Sequence, residues 1–247
     1  MNNFKYFYVF FRSKSRVFIK NSYYRITVPL YRYFKKPMIE NPCGFSIEIS
    51  SVCNFNCVFC AYQHTTEKMR KIMSLEDFKL AVHEIIKNGG QKIALTPLTG
   101  DIFADRKGII KKIEYLEKMD EIKSYSFTTN VSLIDNEKIN FLKTTTKLKD
   151  VKLSIYGHDE DSFTKITQTN LYSKVYQNLL NIQKNITDFK FKLDIGVRSY
   201  MDFKFETSNS EIMLLIKSIA KNENVKLNFH RHYTNWGGYV SKDDLNG

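Results

Sequence analysis

The stretch Phe191-Lys192-Leu193-Asp194-Ile195-Gly196-Val197-Arg198 decides the fold. Successive side chains of a β-strand point to opposite faces, so this segment has one apolar face and one polar face. The pattern recurs. Val151, Leu153 and Ile155 alternate with Lys152, Ser154 and Tyr156; Val225, Leu227 and Phe229 alternate with Lys226, Asn228 and His230. Phe45, Ile47 and Ile49 alternate with Ser46, Glu48 and Ser50. Further strands are expected at 92–96 and 125–129. Helical spacing lies between them. Phe78, Ala81, Val82, Ile85 and Ile86 follow Ser74 and Asp77, a capping-box variant, and Asn88-Gly89-Gly90 ends that helix. Ile109, Ile113 and Leu116 mark a second helix; further helices are expected at 135–144, 172–186 and 209–221.

Strands alternating with helices form a parallel sheet with right-handed crossovers. Strands covered by helices on both faces read as continuous apolar runs, which these do not. Such a double cover would bury Lys152, Asp194 and Arg198 unpaired. The expected fold is therefore α/β, an open parallel sheet curved into a partial (β/α)6 TIM-like barrel. Its polar face lines a cavity, and its chemistry sits at the C-terminal ends of the strands.

Cys53-Asn54-Phe55-Asn56-Cys57-Val58-Phe59-Cys60 follows the first strand at that end. Three of the four cysteines fall in this loop, and clustered thiolates need a metal or an iron–sulfur cluster to neutralise them. Cys43 precedes the strand and is expected about 20 Å away, too far to be a ligand. Zinc would want a fourth ligand, which His64 could supply; a four-iron cluster would leave one iron open.

The net charge of +12 is unevenly spread. Residues 1–36 carry nine Lys or Arg, twelve aromatic residues and no acid, leaving +3 (12 − 9) for the rest. This basic aromatic extension suits an anionic membrane surface or a partner, or packs on the domain behind it; nucleic acid is the less favoured partner. Residues 37–43 read as a linker with Pro37 and Pro42, 44–232 as the barrel and 233–247 as a tail. No run approaches the roughly 20 apolar residues that span a bilayer, and no export signal is seen. A cytoplasmic, reducing setting is expected, in which the extension could lie peripherally on a membrane.

Cys53-x3-Cys57-x2-Cys60 after a first strand, with Phe59 before the last cysteine, resembles the radical S-adenosylmethionine (radical SAM) superfamily over roughly residues 44–240. The resemblance implies an enzyme in which Cys53, Cys57 and Cys60 hold a [4Fe-4S] cluster. The free iron would bind S-adenosylmethionine, and an electron donor such as flavodoxin or ferredoxin would drive its cleavage to a 5′-deoxyadenosyl radical. That radical would take hydrogen from an unknown substrate, with peptide, protein or sugar favoured. Phe59, Thr99, Gly100, Asp101, Asn130, Ser154 and Arg198 are the implied cofactor-binding residues. Thr99-Gly100-Asp101-Ile102 stands where the family has Gly-Gly-Glu-Pro, and Asp101 could equally cap the next helix. Thr129-Asn130 resembles Thr-Asn-Gly, with Val131 in place of glycine. Arg198 would pair with the methionyl carboxylate. No catalytic acid or base is assigned; Glu48 could form an ion pair with Lys152 or Lys192. Residues 233–240, around Trp236, resemble the segment that leads into a cysteine-rich SPASM domain, none of whose cysteines is present before Gly247. The rival readings are a zinc-stabilised nucleic-acid-binding protein using Cys53, Cys57, Cys60 and His64, and a barrel of this family that has lost its chemistry.

Overall fold

The computed structural model describes residues 44–96, 98–106, 108–199 and 203–230. The expectations placed on the basic extension, Cys43 and the segment around Trp236 lie outside the described residues. Six strands form the sheet: β1 (Gly44–Ser46), β2 (Lys92–Ala94), β3 (Ser124–Thr129), β4 (Leu148–Tyr156), β5 (Lys192–Arg198) and β6 (Val225–Phe229). Neighbours are parallel, and the spatial order follows the chain from β1 to β6. The helices are α1 (Leu75–Lys87), α2 (Ile109–Lys118), α3 (Asn136–Thr144), α4 (Glu160–Thr167), α5 (Tyr172–Asn185) and α6 (Glu211–Ile219). Crossovers between parallel strands are right-handed, so an order that never reverses places the helices on one face of the sheet. The apolar series Val151, Leu153, Ile155 and Ile195, Val197 is buried. The polar series on the opposite face is the side expected to line a cavity.

Local chemistry explains the element ends. Ser74 caps α1, accepting from Asp77 N at 3.0 Å and donating to Asp77 Oδ2 at 2.9 Å. Gly89, at φ 78°, ends it in the left-handed conformation glycine favours. The first strand was expected over 44–50, but its pairing with β2 stops at Ser46. Ile47 N still reaches Ala94 O at 2.8 Å. Beyond it the chain pairs with the returning segment 71–73, through Met73 N to Ile49 O and Ser51 N to Lys71 O, both at 2.9 Å. The alternation survives this change of partner because Ile47 and Ile49 remain in the core. Helix α4 was not anticipated. Asp159 and Ser162 form its capping box, and Gln168 ends it at φ 55°.

Glu117, near the end of α2, ties β3 to β4. Its carboxylate accepts from Tyr125 OH at 2.7 Å, Thr146 Oγ1 at 2.7 Å, Thr146 N at 2.9 Å and Lys147 N at 3.1 Å. Burial alone would raise its pKa, but these donors together hold it below the ordinary carboxylate range. A folded-state pKa below the unfolded one gives stability that is present above the unfolded value, about 4.3, and is lost as pH falls through the folded value. Glu117→Gln is therefore expected to lower stability near pH 7, by no more than about 1 kcal/mol because solvent screens this partly exposed carboxylate, and to flatten the acid limb of the stability–pH curve. Denaturant titrations at several pH values measure this; an unchanged acid limb would contradict it.

Candidate active site at the mouth of the sheet

The loop from Cys53 to Cys60 is held from three sides. Asn56 N and Val58 N donate to Thr167 O and Ile166 O of α4, each at 3.0 Å. These are last-turn carbonyls that have no partner within their own helix. Phe55 is buried edge-on against Phe163 of the same helix at 5.5 Å and against Tyr156 at 6.2 Å. After Cys60, Tyr62 returns its hydroxyl to Cys53 O at 3.0 Å, with the Arg70 guanidinium 4.3 Å over its ring. Thus α4 and the Tyr62–Arg70 pair, neither evident from the cysteine motif, set the loop's shape.

Cys53, Cys57 and Cys60 line one cavity of about 260 Å³ together with the ends of β3, β4 and β5. Every residue expected to bind the cofactor, Phe59, Thr99, Gly100, Asp101, Asn130, Ser154 and Arg198, lines the same cavity. Asn130 follows β3 and donates Nδ2–H to Cys53 Sγ at 3.6 Å and to Asn54 Oδ1 at 3.0 Å. Ser132 closes this ring: its Oγ donates to Asn130 Oδ1 at 2.6 Å and accepts from Asn54 Nδ2 at 2.8 Å. Val131 adopts φ 71°, the conformation that the glycine of Thr-Asn-Gly would favour. Asn178 of α5 holds this turn, donating to Val131 O at 2.8 Å and Ser132 O at 3.1 Å.

The loop after β2 is equally determined. Gly100 has φ +81°, and a Cβ there would lie 2.2 Å from Ser50 O. Asp101 is buried. Its carboxylate accepts from Phe103 N at 2.9 Å, Thr129 Oγ1 at 2.9 Å and Asn130 N at 2.7 Å, while its own N–H donates to Val52 O at 2.8 Å. It caps the 3₁₀ turn Ile102–Ala104, as the capping alternative anticipated, and also joins β3 to the cysteine loop. Thr99 Oγ1 donates to Glu48 Oε1 at 3.1 Å, and among the described residues no ion pair joins Glu48 to Lys152 or Lys192. On the far wall Phe59 packs against Tyr156 at 5.3 Å, and the Arg198 guanidinium lies 5.3 Å over the Phe59 ring. Tyr156, which had not been singled out for a role, is thus part of the cavity wall.

Burial pushes all three thiols up, Cys53 to about 12, with Asp101 and Cys60 adding to the rise; at Cys57 and Cys60 the Arg198 charge works the other way. The thiols are therefore neutral at ordinary pH without a metal, and ligation would supply the free energy of ionising them. Among the described residues no group of three or more Cys, His, Asp or Glu side chains is arranged to hold a metal ion. His64 is exposed at the end of the 3₁₀ turn Ala61–His64 and does not line the cavity with the three cysteines, as the rival Cys₃His zinc set would require. The three thiols nevertheless line one cavity, and such a donor set would suit an iron–sulfur cluster.

The family model for the Radical SAM superfamily matches residues 47–198. A GTP 3′,8-cyclase of Clostridium perfringens (strain SM101 / Type A) is 29% identical over 181 residues, covering 71% of this chain and 51% of that protein. One from Alkaliphilus oremlandii is 28% identical over 164 residues, covering 65% and 49%. The chain thus spans about half the length of the curated relatives it matches. Among solved structures, Streptococcus suis SuiB bound to precursor peptide SuiA matches with a TM-score of 0.61 at 17% identity, over 87% of this chain and 44% of that one. Native anSMEcpe with bound AdoMet matches with a TM-score of 0.54 at 21% identity, over 76% and 51%. At these identities the structural likeness speaks to the fold.

Proposed function

This chain belongs to the radical SAM superfamily, and from that premise we propose that Cys53, Cys57 and Cys60 hold a [4Fe-4S] cluster that binds S-adenosylmethionine in the cavity beside them. The observation that carries the reading is the trio of thiols around one cavity. A cluster and S-adenosylmethionine held by these residues would supply reductive cleavage of the sulfonium and hydrogen abstraction from the substrate.

The chain's own groups have separable tasks. Asn130 holds Cys53 by its N–H···S contact, the kind of bond that tunes a cluster's potential. Arg198 offers its guanidinium to the methionyl carboxylate, with Phe59 and Tyr156 fixing its position. Thr99, Gly100, Asp101 and Ser154 line the cavity, where the Thr99–Asp101 backbone would receive the methionyl amine and Ser154 would offer a hydroxyl from β4. Phe55, Phe59 and Tyr156 keep water from the reacting centre. The protein works in a reducing cytoplasm with a flavodoxin- or ferredoxin-type donor, and its basic extension meets an anionic surface or a partner. The substrates favoured from the sequence, a peptide or a sugar, are joined by GTP, the substrate named for the curated relatives.

Anaerobically purified protein is expected to be brown, with about four irons per chain, and to release 5′-deoxyadenosine when given dithionite and S-adenosylmethionine. Colourless protein holding one zinc would end this reading. A full cluster without cleavage would instead favour a barrel that has lost its chemistry.

A further inference from the structure

Three strands bring an unusual group together on the polar face. Ser154 of β4, Gly196 of β5 and Asn228 of β6 are in register. A Cβ on Gly196 would lie 2.9 Å from His230 Nε2 and 3.4 Å from Lys152 Cε. Side chains from the two flanking strands therefore meet above the one residue that has none. Lys152 lines the cavity that holds the cysteines, and it makes no hydrogen bond or ion pair with a described residue. His230 Nε2 is buried without a hydrogen-bond partner among the described residues.

Nearby carboxylates are already engaged. Asp194, the register partner of Lys152, accepts from Asn228 Nδ2; Glu48 is bonded to Thr99, and Asp101 to Phe103, Thr129 and Asn130. Burial lowers the His230 pKa, and Arg198 and Lys152 lower it further against a smaller opposing effect of Asp194. Its buried Nε2 faces a locally positive field that suits an anion. A buried polar atom and an unpaired ammonium at one spot require a partner that the described chain does not provide.

We propose that Lys152 Nζ and His230 Nε2 form a seat above Gly196 for one oxyanion, a phosphate or a carboxylate, carried by the substrate. Assigning that anion to the substrate rests on the radical SAM reading of the cavity; the seat itself rests on the three residues. Of the seat's residues Lys152 lines the cysteine cavity and His230 a neighbouring one, so a substrate whose anion is held by Lys152 can extend its uncharged part toward the cysteine loop.

Protein purified anaerobically is titrated with inorganic pyrophosphate and, separately, with malonate, by calorimetry at low salt. Saturable binding of at least one is expected. Binding of pyrophosphate alone points to a phosphoester substrate, and binding of malonate alone to a carboxylate. Lys152→Met should weaken the binding by about 10-fold or more, as loss of a charge-assisted hydrogen bond does. Gly196→Ala should weaken it similarly by filling the seat. If Gly196→Ala does not fold, Lys152→Met decides alone. No binding of either anion, or binding unchanged in Lys152→Met, would overturn the seat. Iron content and 5′-deoxyadenosine release from the same wild-type preparation test the cofactor reading separately. Lys152-dependent anion binding without a cluster keeps the seat and rejects that reading; a working cluster without anion binding does the reverse.

Discussion

Gly100→Ala is expected to destabilise the protein by about 3 kcal/mol or more, enough to leave much of it unfolded. Two independent effects combine. At φ +81° an alanine pays the strain of the left-handed region. Its methyl group would also meet Ser50 O at 2.2 Å, Ser50 C at 2.9 Å and Ser51 C at 3.0 Å. Those are backbone atoms, so no side-chain rotation relieves the contact. Ser50 and Ser51 are in turn fixed by the returning segment, through the antiparallel bridge of Ser50 to Ile72 and Ser51 N to Lys71 O. The strand end that launches the cysteine loop would have to move. Gly44→Ala is the control: a Cβ there meets no atom of the described residues within 4 Å, and a change of about 0.5 kcal/mol or less is expected. Denaturant unfolding of the two variants beside wild type measures the contrast. A wild-type midpoint for Gly100→Ala would show that the loop after β2 is free to shift.

The alternation of side chains made the sheet readable because it depends only on which face of each strand is covered. Phe191 through Arg198 and Val151 through Tyr156 carry that pattern without reference to anything distant, and β4 and β5 form where it is strongest. The cysteine loop was legible for a similar reason: three thiols within a stretch of eight residues are a local signal. What escaped depends on pairing between remote segments. Helix α4 has only Phe163 and Ile166 as large buried apolar residues, and its cap uses Ser162 where the usual box has Glu or Gln. Its part in the site, the carbonyls that receive Asn56 and Val58, follows from where the helix ends against the loop. Asn178 looks like one more polar residue on an amphipathic helix. Only the fold shows it donating to two carbonyls at the left-handed turn of Val131. The departure from Thr-Asn-Gly at Val131 leaves the glycine-like backbone in place, with Asn178 as the added support.

Asp101→Asn is expected to lower the stability of the cluster-free protein by about 2–4 kcal/mol, an effect that a residue serving only to bind cofactor would not produce. The buried aspartate accepts three hydrogen bonds, two of them on Oδ2, from Thr129 Oγ1 and Asn130 N. An amide keeps one acceptor oxygen. If that oxygen serves Phe103 N, the amide NH₂ faces the Asn130 N–H, donor against donor. If it serves Asn130, the NH₂ faces Phe103 N. Either orientation leaves a buried backbone donor unpaired. Asn130 carries the disturbance onward, because the same residue donates to Cys53 Sγ and belongs to the ring with Asn54 and Ser132. Loss of cluster in this variant should therefore accompany a lowered melting temperature of the cluster-free chain. If the cluster-free protein melts at the wild-type temperature while the loaded protein fails to bind S-adenosylmethionine, Asp101 is a ligand first and a clasp second. If both measurements fall together, the Asp101 carboxylate is what locks the end of β3 against the loop that carries the cysteines.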